Sequence, residues 1–279
     1  MEQSKIILVT GSNKGIGYGI IEGLLEKKLK HKIILSSRNE ELGLKAYNTL
    51  IEKFPEAKEY LFYHQLDITK EDSTNNLINW LKEKFTKIDY LVNNAGVATR
   101  GSEFNIDVCN KTFDVNVYGT IPFTERMIKS NIINKSGKII LVGSKMGTLD
   151  KLTNQELKNS FKNAKNYEDL LKLAEAFKTS VVNDTVEKDG WPKNTYSVSK
   201  MVVNLYAKVL SFRKEIIEND ISVYSCHPGW VRTDMGGDKA PLSIKEGAAN
   251  EIFLIELPDG IHPEYHGKYF SEFKVVEIE

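Results

Sequence analysis

Residues Thr10-Gly11-Ser12-Asn13-Lys14-Gly15-Ile16-Gly17 follow the apolar run Ile6-Ile7-Leu8-Val9. This order predicts a first strand over 6–10, a glycine-rich turn at its end, and a helix beginning near Ile16. Ile16, Ile20, Leu24 and Leu25 then fall at helical spacing, and a second apolar run, Ile33-Ile34-Leu35, comes next. Glycines let the backbone turn tightly and approach a diphosphate closely, and the following helix N-terminus offers unpaired N–H groups to such an anion. The spacing is G-x-x-x-G-x-G rather than the usual G-x-G-x-x-G. Taken alone, the stretch fits a plain turn equally well.

The rest of the chain decides between these readings. Short apolar runs rich in Ile, Leu and Val predict strands over 6–10, 32–37, 60–66, 88–93, 137–143 and 221–226, with a seventh near Lys268-Tyr269-Phe270. Charged amphipathic stretches such as 40–54 and 71–85 lie between them. Nearly all-apolar strands alternating with helices are the pattern of a parallel sheet covered on both faces. No linker or repeat divides the chain, so a single domain over 1–279 is expected. Residues 150–192 break the rhythm and are too long for an ordinary connection. Candidate helices at 154–165 and 167–182, the second with a possible stripe of Leu170, Leu171, Ala174 and Phe177, predict a helical insertion packed onto the main domain.

With 279 residues, 41% apolar and 27% charged, the chain matches an ordinary globular protein. Formal net charge is zero, which argues against a nucleic-acid or anionic-membrane partner. No apolar run is long enough to span a bilayer. The chain opens Met1-Glu2-Gln3-Ser4 and runs straight into a strand, leaving no room for a signal peptide. Cys109 and Cys226 are far apart, and the five histidines form no metal-like cluster. A reducing, cytoplasmic location without a metal site is expected.

Residues 196–200 read Tyr-Ser-Val-Ser-Lys. On a helix over 194–210, Tyr196 and Lys200 share one face. An ammonium near a phenol lowers the phenol's pKa from about 10, and such a tyrosine can protonate a carbonyl oxygen. Tyr and Lys four apart on a half-exposed helix are also common without any role. Ser144 follows the strand 137–143, where open parallel sheets bind ligands, and it suits either a bond to the same oxygen or a turn. Asn93-Asn94-Ala95-Gly96 holds the matching place after the strand 88–92 and reads as a close cofactor approach or a routine loop.

Together these motifs resemble the short-chain dehydrogenase/reductase family. Thr10-Gly11-x-x-x-Gly15-x-Gly17, Asn93-Asn94-Ala95-Gly96, Asn116, Ser144, Tyr196-x-x-x-Lys200 and Pro228-Gly229 occur in the family's order. The resemblance is closest to the monomeric NADPH-dependent carbonyl-reductase branch, which includes plant reductases of terpenoid and alkaloid ketones. Its further marks are His64-Gln65-Leu66-Asp67-Ile68, the long insertion before the tyrosine, and Pro228-Gly229-Trp230-Val231-Arg232-Thr233-Asp234-Met235. It implies an α/β, Rossmann-type doubly wound parallel sheet.

The resemblance also implies roles. Tyr196 is the general acid, with Lys200 lowering its pKa and holding the nicotinamide ribose. Ser144 orients the substrate carbonyl. Asn116, taken to lie mid-helix, holds a water for proton relay. Gly11, Asn13, Lys14, Gly15, Ile16 and Gly17 cradle the diphosphate. Asp67 and Ile68 meet the adenine; Asn93, Ala95 and Gly96 line the adenosine ribose side. Pro228, Gly229, Val231 and Thr233 approach the carboxamide and diphosphate. The family often has Ser-Ser where this chain has Gly143-Ser144, and Lys145 stands where relatives usually have an apolar pocket residue.

The second strand ends Ser36-Ser37-Arg38-Asn39 with no acid to bind a ribose 2′-hydroxyl. Arg38, with Lys14 in the glycine turn, suits a 2′-phosphate, so NADPH is the expected cofactor. Met146, Trp230 and Met235 are candidates for an apolar substrate wall or for core packing. The expected activity is reduction of an apolar or cyclic ketone or aldehyde. The alternatives are reduction of a conjugated C=C bond, or a catalytically weak NADP-binding scaffold. A monomer is expected, the insertion covering faces where relatives pair.

Overall fold

In this computed structural model, residues 4–99 and 103–278 are described. The first half runs β1 (Ile6–Val9), α1 (Gly15–Glu26), β2 (Lys32–Ser37), α2 (Glu40–Lys53), β3 (Leu61–Gln65), α3 (Glu71–Phe85), β4 (Ile88–Asn93), α4 (Ile106–Asn116), α5 (Thr120–Lys129) and β5 (Ile133–Val142). The second half runs α6 (Gln155–Lys162), α7 (Tyr167–Val182), α8 (Thr195–Ser211), α9 (Lys214–Glu218), β6 (Ser222–Cys226), α10 (Ile244–Glu256), β7 (Lys268–Ser271) and β8 (Lys274–Val276).

The strands form one sheet in the order β3-β2-β1-β4-β5-β6-β7-β8. Every pairing from β3 to β7 is parallel, and β8 is added antiparallel to β7. All seven expected strands are therefore neighbours in one doubly wound sheet. β8 was not anticipated, because its Lys-Val-Val is short and exposed. β5 begins four residues earlier than expected, where Ile88 pairs with Ile133 before a register shift.

Burial on both faces explains the strand composition. Ile7 and Val9 point to one apolar layer with Ile20, Leu24, Leu50, Ala248 and Ile252 from α1, α2 and α10. Leu8 and Leu91 point to the other, with Leu77, Phe113, Phe123, Val202 and Phe177 from α3, α4, α5, α8 and α7. Strand order reverses at β1, which lies between β2 and β4. A crevice therefore opens beyond the carboxyl ends of β1 and β4.

The insertion packs as a cap. Leu170, Ala174 and Phe177 are fully buried, and Leu171 lies at the edge of the cluster. The Phe177 ring stacks on Phe113 of α4 at 5.6 Å and meets Trp191 edge-on at 5.4 Å. The Tyr118 hydroxyl donates to Glu175 of α7. Burying such a stripe within the chain removes apolar surface from water.

Candidate active site

The glycine-rich turn sits at the crevice. Gly11 has φ +60°, and a Cβ there would come within 2.8 Å of the Ala95 Cα, so the turn closes directly onto the β4 loop. Asn94 locks the contact: its Nδ2 donates to the carbonyls of Thr10 at 2.8 Å and Gly11 at 3.0 Å. The Thr10 hydroxyl accepts from the N–H groups of Asn94 and Ala95, both at 3.0 Å. The first turn of α1 has neither an acidic residue nor a side-chain cap, whereas Asn39 caps α2. Free N–H groups at a helix N-terminus beside a glycine turn suit a diphosphate.

Arg38 is exposed at the tip of β2, and Glu40 and Glu41 are already in the first turn of α2. Arg38 lines a cavity of about 400 Å³ with Thr69, Val97, Lys111 and Val115, among others. The β2 tip, Ser36-Ser37-Arg38-Asn39, carries no carboxylate, and Asp114 of α4 lines the same cavity from the other side. Lys14 instead pairs with Asp234, Nζ to Oδ2 at 2.7 Å, linking the glycine turn to the loop after β6. Thr233 lies over Gly15 in the same loop.

Other expected cofactor residues are placed less directly. Asp67 Oδ1 accepts from the Thr69 N–H at 3.0 Å and hydroxyl at 2.7 Å, an Asx turn that shapes the loop after β3. Ile68 is largely buried in the core, with its Cδ1 near Gly119. The Asn93 side chain turns inward toward Thr124 of α5, 3.3 Å away, leaving its backbone to face the crevice. Val231 is likewise buried, its side chain packed near Gly247, and it follows Pro228 and Gly229 in the loop after β6.

The chemical groups converge at the end of β5. Asn194 caps α8 by accepting from the Ser197 N–H at 2.8 Å. This sets the helix phase, and Tyr196 and Lys200 share a face. Tyr196 is half-buried, with the Ser144 side chain beside it. Lys200 Nζ donates to the Val142 carbonyl at 2.7 Å and lies 5.9 Å from the Tyr196 ring centroid.

The electrostatics differ from expectation. Burial raises the Tyr196 phenol above its ordinary value, and the neighbouring Ser144 side chain opposes that rise. Lys200 is itself lowered to about 8 by burial. An ammonium removed from water and directed at a backbone carbonyl does not pull the phenol down here.

Asn116 is also placed differently. It is the last residue of α4, not a mid-helix residue. Val117 and Tyr118 N–H groups both bond the Phe113 carbonyl, and this widened turn ends the helix. Asn116 Oδ1 accepts from Val97 N at 2.8 Å; its Nδ2 donates to Val97 O at 2.9 Å and Ser199 Oγ at 3.0 Å. It thus ties the β4 loop to α8 immediately before Lys200.

Met146, Trp230 and Met235 are each more than 40% exposed, so they are not core residues and form the outer surface of these loops. Lys145 is exposed beside them. His227 is held below its usual pKa, chiefly by burial and then by the Lys145 charge. Its Nδ1 accepts from Gly229 N at 2.9 Å. Among the described residues, no cluster of His, Cys, Asp or Glu could hold a metal ion, and no helix is long and apolar enough to cross a membrane. Asn204 escaped the sequence reading, and Asn94 was read only as part of its motif, without a role of its own. Asn204 had a signal, since it stands four residues beyond Lys200 on the same helical face.

Comparison with known proteins shows the family and the fold. A family model described as short chain dehydrogenase matches residues 5–156. The chain is 33% identical to carbonyl reductase (NADPH) 1 of Bos taurus over 98% of each chain. It is 31% identical to (+)-neomenthol dehydrogenase of Arabidopsis thaliana over 99% of each. Its fold matches salutaridine reductase from Papaver somniferum with a TM-score of 0.83 at 24% identity, covering 95% of this chain and 99% of that one.

Proposed function

Because this chain belongs to the short-chain dehydrogenase family, we propose that it reduces an apolar or cyclic ketone or aldehyde with Tyr196 as general acid. The chain is an NADPH-dependent oxidoreductase of the carbonyl-reductase type. What carries the finer reading is the placement of Tyr196 beside the Ser144 side chain at the crevice, with Lys200 one helical turn behind.

The residues present fit the cofactor. The glycine turn and uncapped α1 N-terminus suit its diphosphate, and Arg38 its 2′-phosphate. Bound NADPH supplies the hydride. Tyr196 and Ser144 both direct hydroxyls at one substrate oxygen, where negative charge grows during reduction, and preorganised donors act most strongly there. Burial keeps the phenol protonated, so the acid is loaded at neutral pH. Lys200, anchored on Val142, holds a cation one turn behind the phenol as its proton leaves. A Cβ on Gly96 would come within 3.3 Å of Asn116 Oδ1 and 3.4 Å of Lys200 Nζ, so both side chains approach the backbone of this glycine.

The packing of α7 on α4 and α8 supports a monomer. The buried free thiols of Cys109 and Cys226 suit a reducing compartment such as the cytoplasm. NADPH consumption against ketones, quinones and enones, with product identification, tests the assignment. Alcohol products are expected. Saturated ketones from enones would shift the reading to C=C reduction, and no turnover across the panel would favour a cofactor-binding scaffold.

A further inference from the structure

Tyr196, Lys200 and Asn204 occupy successive i, i+4 positions of α8 and share one face. Asn204 is fully buried. Its Nδ2 donates to the carbonyls of Ser144 and Gly147, both at 2.9 Å, and its Oδ1 accepts from the Ser144 N–H at 3.3 Å. These partners fix the amide, since a flipped side chain would set oxygen against two carbonyls. The turn it grips is closed by Gly147 N–H donating to Ser144 O at 2.9 Å. The backbone on both sides of Ser144 is thereby fastened to the helix that carries Tyr196.

Two glycines admit this clamp. A Cβ on Gly143 would overlap Asn204 Oδ1 and press on the Cys226 carbonyl at 3.2 Å. A Cβ on Gly147 would strike the backbone of Lys200 and Met201. The Asn204 amide has no easy retreat, because moving it strands buried carbonyls and an N–H without partners.

We propose that Asn204 is a positioning residue for carbonyl reduction: through the Ser144 backbone it sets the Ser144 hydroxyl against Tyr196, and Gly143 leaves the room it needs. The inference rests on the reading of Ser144 as the group that orients the substrate oxygen. Two donors must meet one atom, and a misplacement of about 1 Å costs on the order of 100-fold in rate.

The test uses Asn204→Ala, Gly143→Ala, the double variant, and Ser144→Ala as reference. Each is measured for NADPH affinity by fluorescence titration, and for kcat and KM with the carbonyl compound that the wild type turns over fastest. Each single variant at 143 or 204 should lower kcat by about 10- to 100-fold while NADPH affinity stays within about twofold. The double variant should be no slower than Gly143→Ala, because the added methyl enters the space that Asn204 vacated. Wild-type kcat in Asn204→Ala or Gly143→Ala, with Ser144→Ala slow, overturns the inference and leaves the role of Ser144 standing. Wild-type kcat in Ser144→Ala overturns both. Parallel loss of kcat and NADPH affinity shows a structural role only and also overturns it. If Asn204→Ala does not fold, Gly143→Ala decides alone.

Discussion

Lys14 and Asp234 lie 220 positions apart and form an ion pair at 2.7 Å across the mouth of the crevice. Both side chains are largely exposed, so the pair adds little to stability. It does hold Lys14 against a carboxylate, which leaves Arg38 as the proposed principal contact for a 2′-phosphate.

Arg38→Ala should therefore weaken NADPH binding by about 1.5–3 kcal/mol, the size of a charge-assisted hydrogen bond, with NADH little changed. Asp234→Asn should act oppositely by releasing Lys14, tightening NADPH by about two- to fivefold at low salt and less at high salt. Titration with both cofactors checks the pair of outcomes. Equal losses of NADPH and NADH in Arg38→Ala would assign Arg38 to the fold instead.

Tyr196→Phe removes the proton donor and keeps the ring. Carbonyl reduction should drop by about 10²–10⁴-fold with NADPH affinity retained. Turnover near wild type would mean that the proton comes from another group.

The pH profile follows from Lys200. It is charged below about 8 and neutral above, while Tyr196, raised by burial, stays protonated through that range. Log kcat/KM for reduction should be level on the acid side and fall as pH rises through about 8. A profile that stays level well above that value removes the Lys200 charge from the mechanism.

Glu251 of α10 is fully buried; its Oε1 meets the Cys226 thiol at 3.6 Å, and its Oε2 has no hydrogen-bond partner. Burial raises its carboxyl from 4.5 to about 7. A raised carboxyl contributes its stability below the unfolded value and loses it as pH rises through the folded one. Glu251→Gln should thus match wild type in thermal melts near pH 4.5 and exceed it increasingly up to about pH 7. The gain should level off at about 3 kcal/mol. A gap that does not widen with pH would mean that the carboxylate is stabilised by something else.

Sedimentation at micromolar protein should give a species of about 31.7 kDa. Phe177→Ala should destabilise the chain by about 3–5 kcal/mol, as expected for an aromatic buried in a core. A stable dimer or tetramer would show that α7 leaves the pairing faces open.

The sheet was legible because Ile7-Leu8-Val9 and Ile33-Ile34-Leu35 are buried on both faces, and such strands read as unbroken apolar runs. The insertion was legible through Leu170, Ala174 and Phe177. The end of α4 at Asn116 was not, because it depends on a bond to Val97, a loop residue 19 positions away. The electrostatics of Tyr196 and Lys200 were read with the wrong sign for the phenol. Spacing shows that two groups are near, whereas burial, which dominates here, comes from the whole fold. Gly143 looked like a departure from a familiar pattern until Asn204 was found occupying the space beside it.

α8 is buried along nearly its whole length, whereas Met146, Trp230 and Met235 stand out in solvent. On the proposed reading the proton chemistry belongs to a buried helix where most substitutions would cost stability, and the outer loops to residues that can change at little thermodynamic risk. Such a division would let descendants of one sequence explore new substrates by altering a few side chains at the rim, with the proposed acid left untouched.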